Sequence, residues 1–181
     1  VAISSPVEGL VERVAVERGD RVQEGMVLVV LESSTERAAV AIARYRAEQE
    51  SGIKSNQVRL EFGDRRFQRT DVMYKQELIP LKEMDEAETG KILAEVGLLE
   101  AQENRRLAEL DLHRAEALLA LRTIKSPITG VVIERLLSAG EFAKQAPILR
   151  LAQIVPLRVE VFAPIALLGR IAVGQRAQII P

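Results

Sequence analysis

The chain of 181 residues has no cysteine, no tryptophan, a single histidine and only 3% aromatic residues. Without cysteine there can be no disulfide, no thiolate metal ligand and no cysteine nucleophile. The lone His113 lies between Leu112 and Arg114 in a charged helical pattern. There it reads as a solvated surface residue, not as a general base. Scarce aromatics and a formal charge of −1 provide neither the basic field nor the stacking platforms that nucleic-acid binding requires. Long apolar runs are missing too. The longest, Met26 to Leu31 and the proline-interrupted Val161 to Leu168, fall short of the ~18 residues that cross a bilayer. No basic start followed by an apolar segment occurs, so a signal peptide or anchor is expected to be absent or already removed. Met26, Met73, Met84 and His113 are scattered along the sequence, whereas a soft-metal site needs such ligands clustered.

What is present falls into three textures. From Val1 to Ser33, short β-branched runs are punctuated by Gly9, Gly19-Asp20 and Gly25, the pattern of short strands joined by tight turns. From Ser33 to Arg122, Ala, Glu, Leu, Arg and Lys dominate and proline occurs once, at Pro80, as in helix. Ala87, Ala94, Ala101, Ala108 and Ala115 repeat every seven residues, each followed four positions later by Lys91, Leu98, Arg105, Leu112 or Leu119. That spacing is a coiled-coil seam with a small residue at one position. Upstream, Ile53, Leu60, Phe67 and Tyr74 repeat with the same period, so bulky knobs are expected to face alanine holes. Pro80 interrupts the helical texture, and Lys75 to Ile79 reads as the turn between two antiparallel helices of ~40 residues, ~60 Å long. Gly52 and Gly63 weaken the first helix by up to ~1 kcal/mol each, which predicts a bend or looser pairing near them. From Thr123 onward the strand pattern returns.

The first and third textures are copies. Under a displacement of 121 positions, from Ser5 to Ser126, Pro6 meets Pro127, Gly9 meets Gly130, Gly19 meets Gly140, and Leu28 meets Leu149. Each Ser-Pro starts an extended segment, because the residue before proline is pushed toward β geometry. Gly9 and Gly130 are expected at turns or bulges, and Gly19 and Gly140 at the reversal between the next two strands. Neither copy alone can bury an apolar face. Two half-sheets closing over one core is therefore the expectation, with the helical insertion leaving one half and returning to the other.

SPVEGLVERVAVERGDRVQEGMVLVVLE and SPITGVVIERLLSAGEFAKQAPILRL resemble the two halves of a lipoyl/biotinyl-type domain. A carrier domain of that kind holds a modifiable lysine between its halves, but Leu31 to Thr35 contains none. The split domain with its helical hairpin resembles the periplasmic adaptor subunits, or membrane fusion proteins, of tripartite efflux pumps and type I secretion systems. The resemblance implies an α+β fold: a lipoyl-like β barrel-sandwich hybrid (1–33 and 123–155) split by a long antiparallel α-helical coiled-coil hairpin (34–122). Residues 156–181 resemble the start of an incomplete β-barrel domain, with a turn at Gly174-Gln175.

A local match concerns the hairpin tip. In adaptors of the resistance-nodulation-division class the tip carries R-x-x-x-L-x-x-x-x-x-x-S, thought to contact the outer-membrane channel. Arg69 matches the arginine, Met73 stands at the leucine and Pro80 at the serine. Methionine is a mild change there, whereas proline removes a side-chain N-cap. The resemblance thus implies channel contact through Arg69, Met73, Glu77, Leu78, Ile79 and Pro80. It also implies a non-enzymatic role without cofactor or metal, an inner-membrane transporter partner (resistance-nodulation-division type favoured, ABC type the alternative), and periplasmic location. Self-association into a ring, a hexamer or a trimer of dimers, is implied as well. The competing readings are a lipoyl- or biotinyl-type carrier and a metal-binding adaptor of a heavy-metal efflux system.

Overall fold

A computed structural model of the chain describes residues 1–144 and 146–154, and beyond them positions 160, 162, 164, 165, 172–176 and 178. Four short strands precede the helices: β1 (Ala2–Ser4), β2 (Gly9–Val14), β3 (Arg21–Val22) and β4 (Val27–Leu31). Four follow them: β5 (Thr123–Lys125), β6 (Gly130–Arg135), β7 (Phe142–Ala143) and β8 (Pro147–Ala152). The displacement that superposes the sequence copies superposes these strands, except that β8 begins one residue early. Even the irregularities repeat. The β2–β4 ladder slips register between Val11 and Arg13, and the β6–β8 ladder slips between Val132 and Glu134.

The halves do not form one sheet each, as the sequence led us to expect. They interleave in two four-stranded sheets, ordered β1-β8-β6-β3 and β5-β4-β2-β7, and each sheet takes two strands from each half. Hydrogen bonds between the halves are reciprocal. The Gly19 and Gly140 N–H groups donate to the Val132 and Val11 carbonyls, both at 2.8 Å. The Val11 and Val132 N–H groups donate to the Glu141 and Asp20 carbonyls at 2.8 and 2.9 Å. This pseudo-twofold exchange pairs polar edges that either half alone would leave open. Alternation along β2 and β6 turns Val11 and Val132 inward, against Leu28, Leu31, Ile148, Leu149 and Leu151, all fully buried. Each of those leucines and isoleucines contributes about 1.5–3 kcal/mol through burial.

The doubled Ser-Pro phrase is a turn lock. The Ser126 hydroxyl donates to the Ile128 carbonyl at 2.6 Å, and Ser5 makes the same bond to the Val7 carbonyl. Gly19 and Gly140 sit in the reversals with φ of 96° and 87°, as expected. Gly9 and Gly130 do not: they open β2 and β6 without positive φ. Their requirement is space. A Cβ on Gly130 would meet the Ala152 carbonyl oxygen at 2.1 Å, and one on Gly9 would meet the Arg122 guanidinium at 2.5 Å.

The hairpin consists of α1 (Ser34–Glu48) and α2 (Ser51–Lys75) running out, and α3 (Leu81–Ala120) running back. The outgoing arm is thus two helices, not the single one expected. Its seam explains the break. Glu36, Val40, Ala43 and Ala47 turn inward on α1, and continuing that spacing would bring the charged Glu50 and Lys54 to the seam. The α2 seam instead uses Ile53, Asn56, Leu60, Gly63, Phe67 and Thr70. Leaving the helix at Gln49 and Glu50 re-phases the stripe by one residue. On α3 the alanine seam is as read: Ala87 is buried, while Lys91, Ala94, Leu98, Ala101, Arg105, Ala108, Leu112, Ala115 and Leu119 are half-buried. Tyr74 lies outside it, exposed. The bend expected near Gly52 is this break, but Gly63 is a point of close approach, not of looser pairing. A Cβ there would lie 3.3 Å from the Lys91 Cα.

Two seam positions of α3 carry charge, and each is answered across the hairpin. The Lys91 ammonium lies 2.8 Å from Asp64 and 5.2 Å from the Phe67 ring centroid. Its hydrogen bond to Asp64 raises its pKa above the ordinary lysine range. Arg105 faces the helix break, 3.6 Å from Glu50 and 3.3 Å from Glu109. Lys54 holds the Glu50 carboxyl below the usual range. Of the segment 156–181, the expected turn is in place: Gly174 has φ of 90°, and the Gln175 N–H donates to the Ala172 carbonyl at 3.2 Å. The barrel strands expected around it lie outside the described residues.

Candidate partner-docking site at the hairpin tip

The tip is built by the end of α2, the turn Gln76 to Pro80 and the start of α3. Gln76 leaves the helix, and Glu77 adopts φ of 57°, the sole non-glycine positive φ among the described residues. The Leu78 N–H donates to the Met73 carbonyl at 3.0 Å and the Glu77 N–H to the Tyr74 carbonyl at 2.9 Å. These are the two bonds of a Schellman motif, in which glycine usually occupies the left-handed position. Here a glutamate holds it, at a cost of about 1 kcal/mol. Pro80 stands at the N-cap of α3 with extended geometry, and no side chain caps the helix. The proline ring fixes φ, here −74°, and with ψ of 156° it directs the chain into α3.

Four large apolar side chains crowd this end in solvent: Val72 is 53% exposed, Met73 45%, Leu78 65% and Leu81 56%. Clustered exposed apolar surface of this kind marks interaction sites. Beside it, Arg65, Gln68, Arg69, Val72 and Met73 line a shallow groove of ≈580 Å³. Arg69 has no carboxylate within 4.0 Å among the described residues, so its charge is free to meet an incoming acceptor. Arg69 and Met73 are thus brought together one helical turn apart on α2. Glu77, Leu78 and Pro80 follow in the turn, with Ile79 half-buried beneath them. The motif did not single out Val72, Leu81 or Arg65. Val72 and Arg65 were legible as outward-facing neighbours of Arg69, at i+3 and i−4 on the same helix face.

At the opposite end the hairpin roots in the β domain. The Ser34 hydroxyl and N–H, the latter at 2.8 Å, hold the Glu32 carboxyl below the usual glutamate range. That carboxylate caps α1 from one residue before its N-cap. The stretch Glu32 to Thr35, where a carrier domain would need its lysine, is the root of α1.

The family model of the CzcB-like barrel-sandwich hybrid domain matches residues 1–153. Among solved structures, MacA from Actinobacillus actinomycetemcomitans superposes with a TM-score of 0.79 at 23% identity, over 84% of this chain and 48% of that one. The membrane fusion protein Spr0693 from Streptococcus pneumoniae R6 gives 0.48 at 19% identity, over 83% of this chain and 61% of that one. ZneB from Cupriavidus metallidurans gives 0.41 at 18% identity, over 85% and 60%. No curated protein sequence matches. The chain spans about half the length of the MacA chain. By its matched domain, the chain belongs to the CzcB-like barrel-sandwich hybrid family, and it shares its fold with MacA.

Proposed function

We propose that the protein is a non-enzymatic periplasmic adaptor that couples an inner-membrane transporter to an outer-membrane channel, docking on the channel through its hairpin tip. The observation that carries this reading is the exposed apolar cluster of Val72, Met73, Leu78 and Leu81 beside Arg69, which has no ion-pair partner among the described residues. It stands at the end of a hairpin whose 40-residue return helix reaches ~60 Å from the β domain. A tip of that composition suits a helical partner surface with apolar ridges and an acceptor for the guanidinium. The spacing of Arg69 and Met73 favours a proton-driven transporter of the resistance-nodulation-division type over an ATP-driven one.

Self-association into a ring is part of the same reading, and the two unlike edges of the hairpin support it. On one edge Arg46, Arg59 and Arg66 open onto a groove beside Gly90, Gly97 and Asn104. The opposite edge presents Glu61, Asp64 and Glu95 around Lys91. Unlike edges give head-to-tail contacts, which form a ring where the rotation between copies closes.

The test is site-specific photo-cross-linking from positions 73 and 77 in cells that carry the outer-membrane channel. Adducts to the channel are expected from both positions and none from position 113, far down the hairpin. A folded hairpin that yields no channel adduct refutes tip docking.

A further inference from the structure

The root of the hairpin is tied by one side chain that the proposed function leaves unused. Arg122 lies just past α3, two residues before the core strand residue Ile124. Its guanidinium reaches two other segments. Nε and Nη2 donate to the Glu36 Oε1 on the first turn of α1, at 3.0 and 2.5 Å. Nη1 donates to the Glu8 carbonyl in the loop before β2, at 2.9 Å. The Arg122 carbonyl in turn accepts from the Leu31 N–H at 2.8 Å. One residue therefore connects both arms of the hairpin to both halves of the β domain. The pair is half-buried, with 22% and 19% of its side chains exposed. It is the least exposed ion pair among the described residues. Gly9 completes the arrangement, because a methyl group there would sit 2.5 Å from Nη1.

We infer that Arg122 and Glu36 form a latch that sets the direction of the hairpin relative to the β domain, with Gly9 keeping the seat open. Backbone continuity alone leaves the root at two single-chain crossings, Leu31 to Ser34 and Ala120 to Thr123. Two such strands form a hinge axis, and the other ion pair across it, Arg37–Glu12 at 3.8 Å, is exposed at 63% and 51%. The lever is long: a 10° swing at the root moves a point ~60 Å away by ~10 Å. A fork of fixed planar geometry resists such a swing better than a flexible ammonium would. The latch acts on hairpin direction whatever the tip meets, so it stands or falls separately from channel docking.

The absence of cysteine allows a direct measurement on the full 181-residue chain. Spin labels at Arg18→Cys and Gln76→Cys report the distance from the β domain to the tip by pulsed electron resonance. In the parent background a single narrow distribution is expected. Glu36→Gln, Arg122→Lys and Gly9→Ala should each broaden it about twofold or more. Circular dichroism and slow amide exchange at Leu28 and Leu149 should stay unchanged, which separates loss of direction from loss of fold. Should Arg122→Lys fail to fold, Glu36→Gln decides, since it changes one carboxyl on the first turn of a helix. Unchanged distributions in folded Glu36→Gln and Gly9→Ala overturn the latch.

Discussion

Gly63 offers the sharpest test of the packing argument, because propensity and packing predict opposite signs there. Replacing a helix-interior glycine by alanine stabilises the helix by about 1 kcal/mol when the methyl group meets nothing. Gly90 is that case: mid-helix on α3, with no atom within 4 Å of its Cβ position. At Gly63 the same methyl would press on the Lys91 Cα at 3.3 Å, with the Gly90 carbonyl oxygen and the Lys91 nitrogen both at 3.7 Å. Those are backbone atoms of a 40-residue helix, so relief means moving α2 away from α3. That would stretch the Lys91–Asp64 contact beside it, now 2.8 Å. Overpacking of this kind costs about 1–3 kcal/mol, enough to cancel or reverse the propensity gain. Thermal melts followed by helical ellipticity should show Gly90→Ala rising by ~2–4 °C. Gly63→Ala should be unchanged or lower, and Gly63→Leu should fall well below both. A rise for Gly63→Ala equal to that of Gly90→Ala would falsify close approach at this position.

Other outcomes follow from the same geometry. Lys91 has its pKa raised by Asp64, so its stabilisation is fully present below the ordinary lysine value of 10.5 and is lost as pH climbs through the folded value. Urea midpoints of the parent and Lys91→Met should therefore differ at pH 8 and converge in strongly alkaline solution; a constant gap would contradict the ion pair. Glu77→Gly should stabilise the hairpin by about 1 kcal/mol by relieving the left-handed backbone, read as a higher urea midpoint at unchanged slope. If Glu77→Gly destabilises instead, the carboxylate contributes more than its backbone costs. Leu149→Ala, at a fully buried site, should cost about 2–5 kcal/mol. It should be felt in amide exchange of both sheets, whereas an effect confined to β8 and its neighbours would argue against a shared core.

The sequence displayed its repeat because glycine and proline can be replaced only where backbone geometry tolerates it. Pro6 and Pro127, Gly19 and Gly140 therefore kept their places while the residues between them diverged. The seam of α3 was legible for a similar reason: Ala87 and its successors must stay small where two helices touch. Strand interleaving was not legible, since pairing between residues such as Leu10 and Phe142 leaves no local trace. Gly63 misled because helix propensity reports on an isolated helix, and here the absent side chain is what the partner helix uses. Arg122 and Glu36 gave no signal at all. They are 86 positions apart, and each alone is an ordinary charged residue at a helix end. At the tip, spacing identified Arg69 and Met73, but the left-handed Glu77 emerged only from the backbone.

The interleaved strands also fix an order of events in folding. Neither sheet can close until the second half has been synthesised, because β8 pairs with β1 across almost the whole chain. A random coil of ~90 residues between the halves would make that closure slow and entropically costly. The hairpin forms from contacts that zip outward from its own turn, a local process that runs fast. Once zipped, it delivers Thr123 beside Leu31 and shortens the effective loop to a few residues, which lowers the closure cost by about 3 kcal/mol. Substitutions that unzip the helices near the tip should therefore slow assembly of a β domain they never touch.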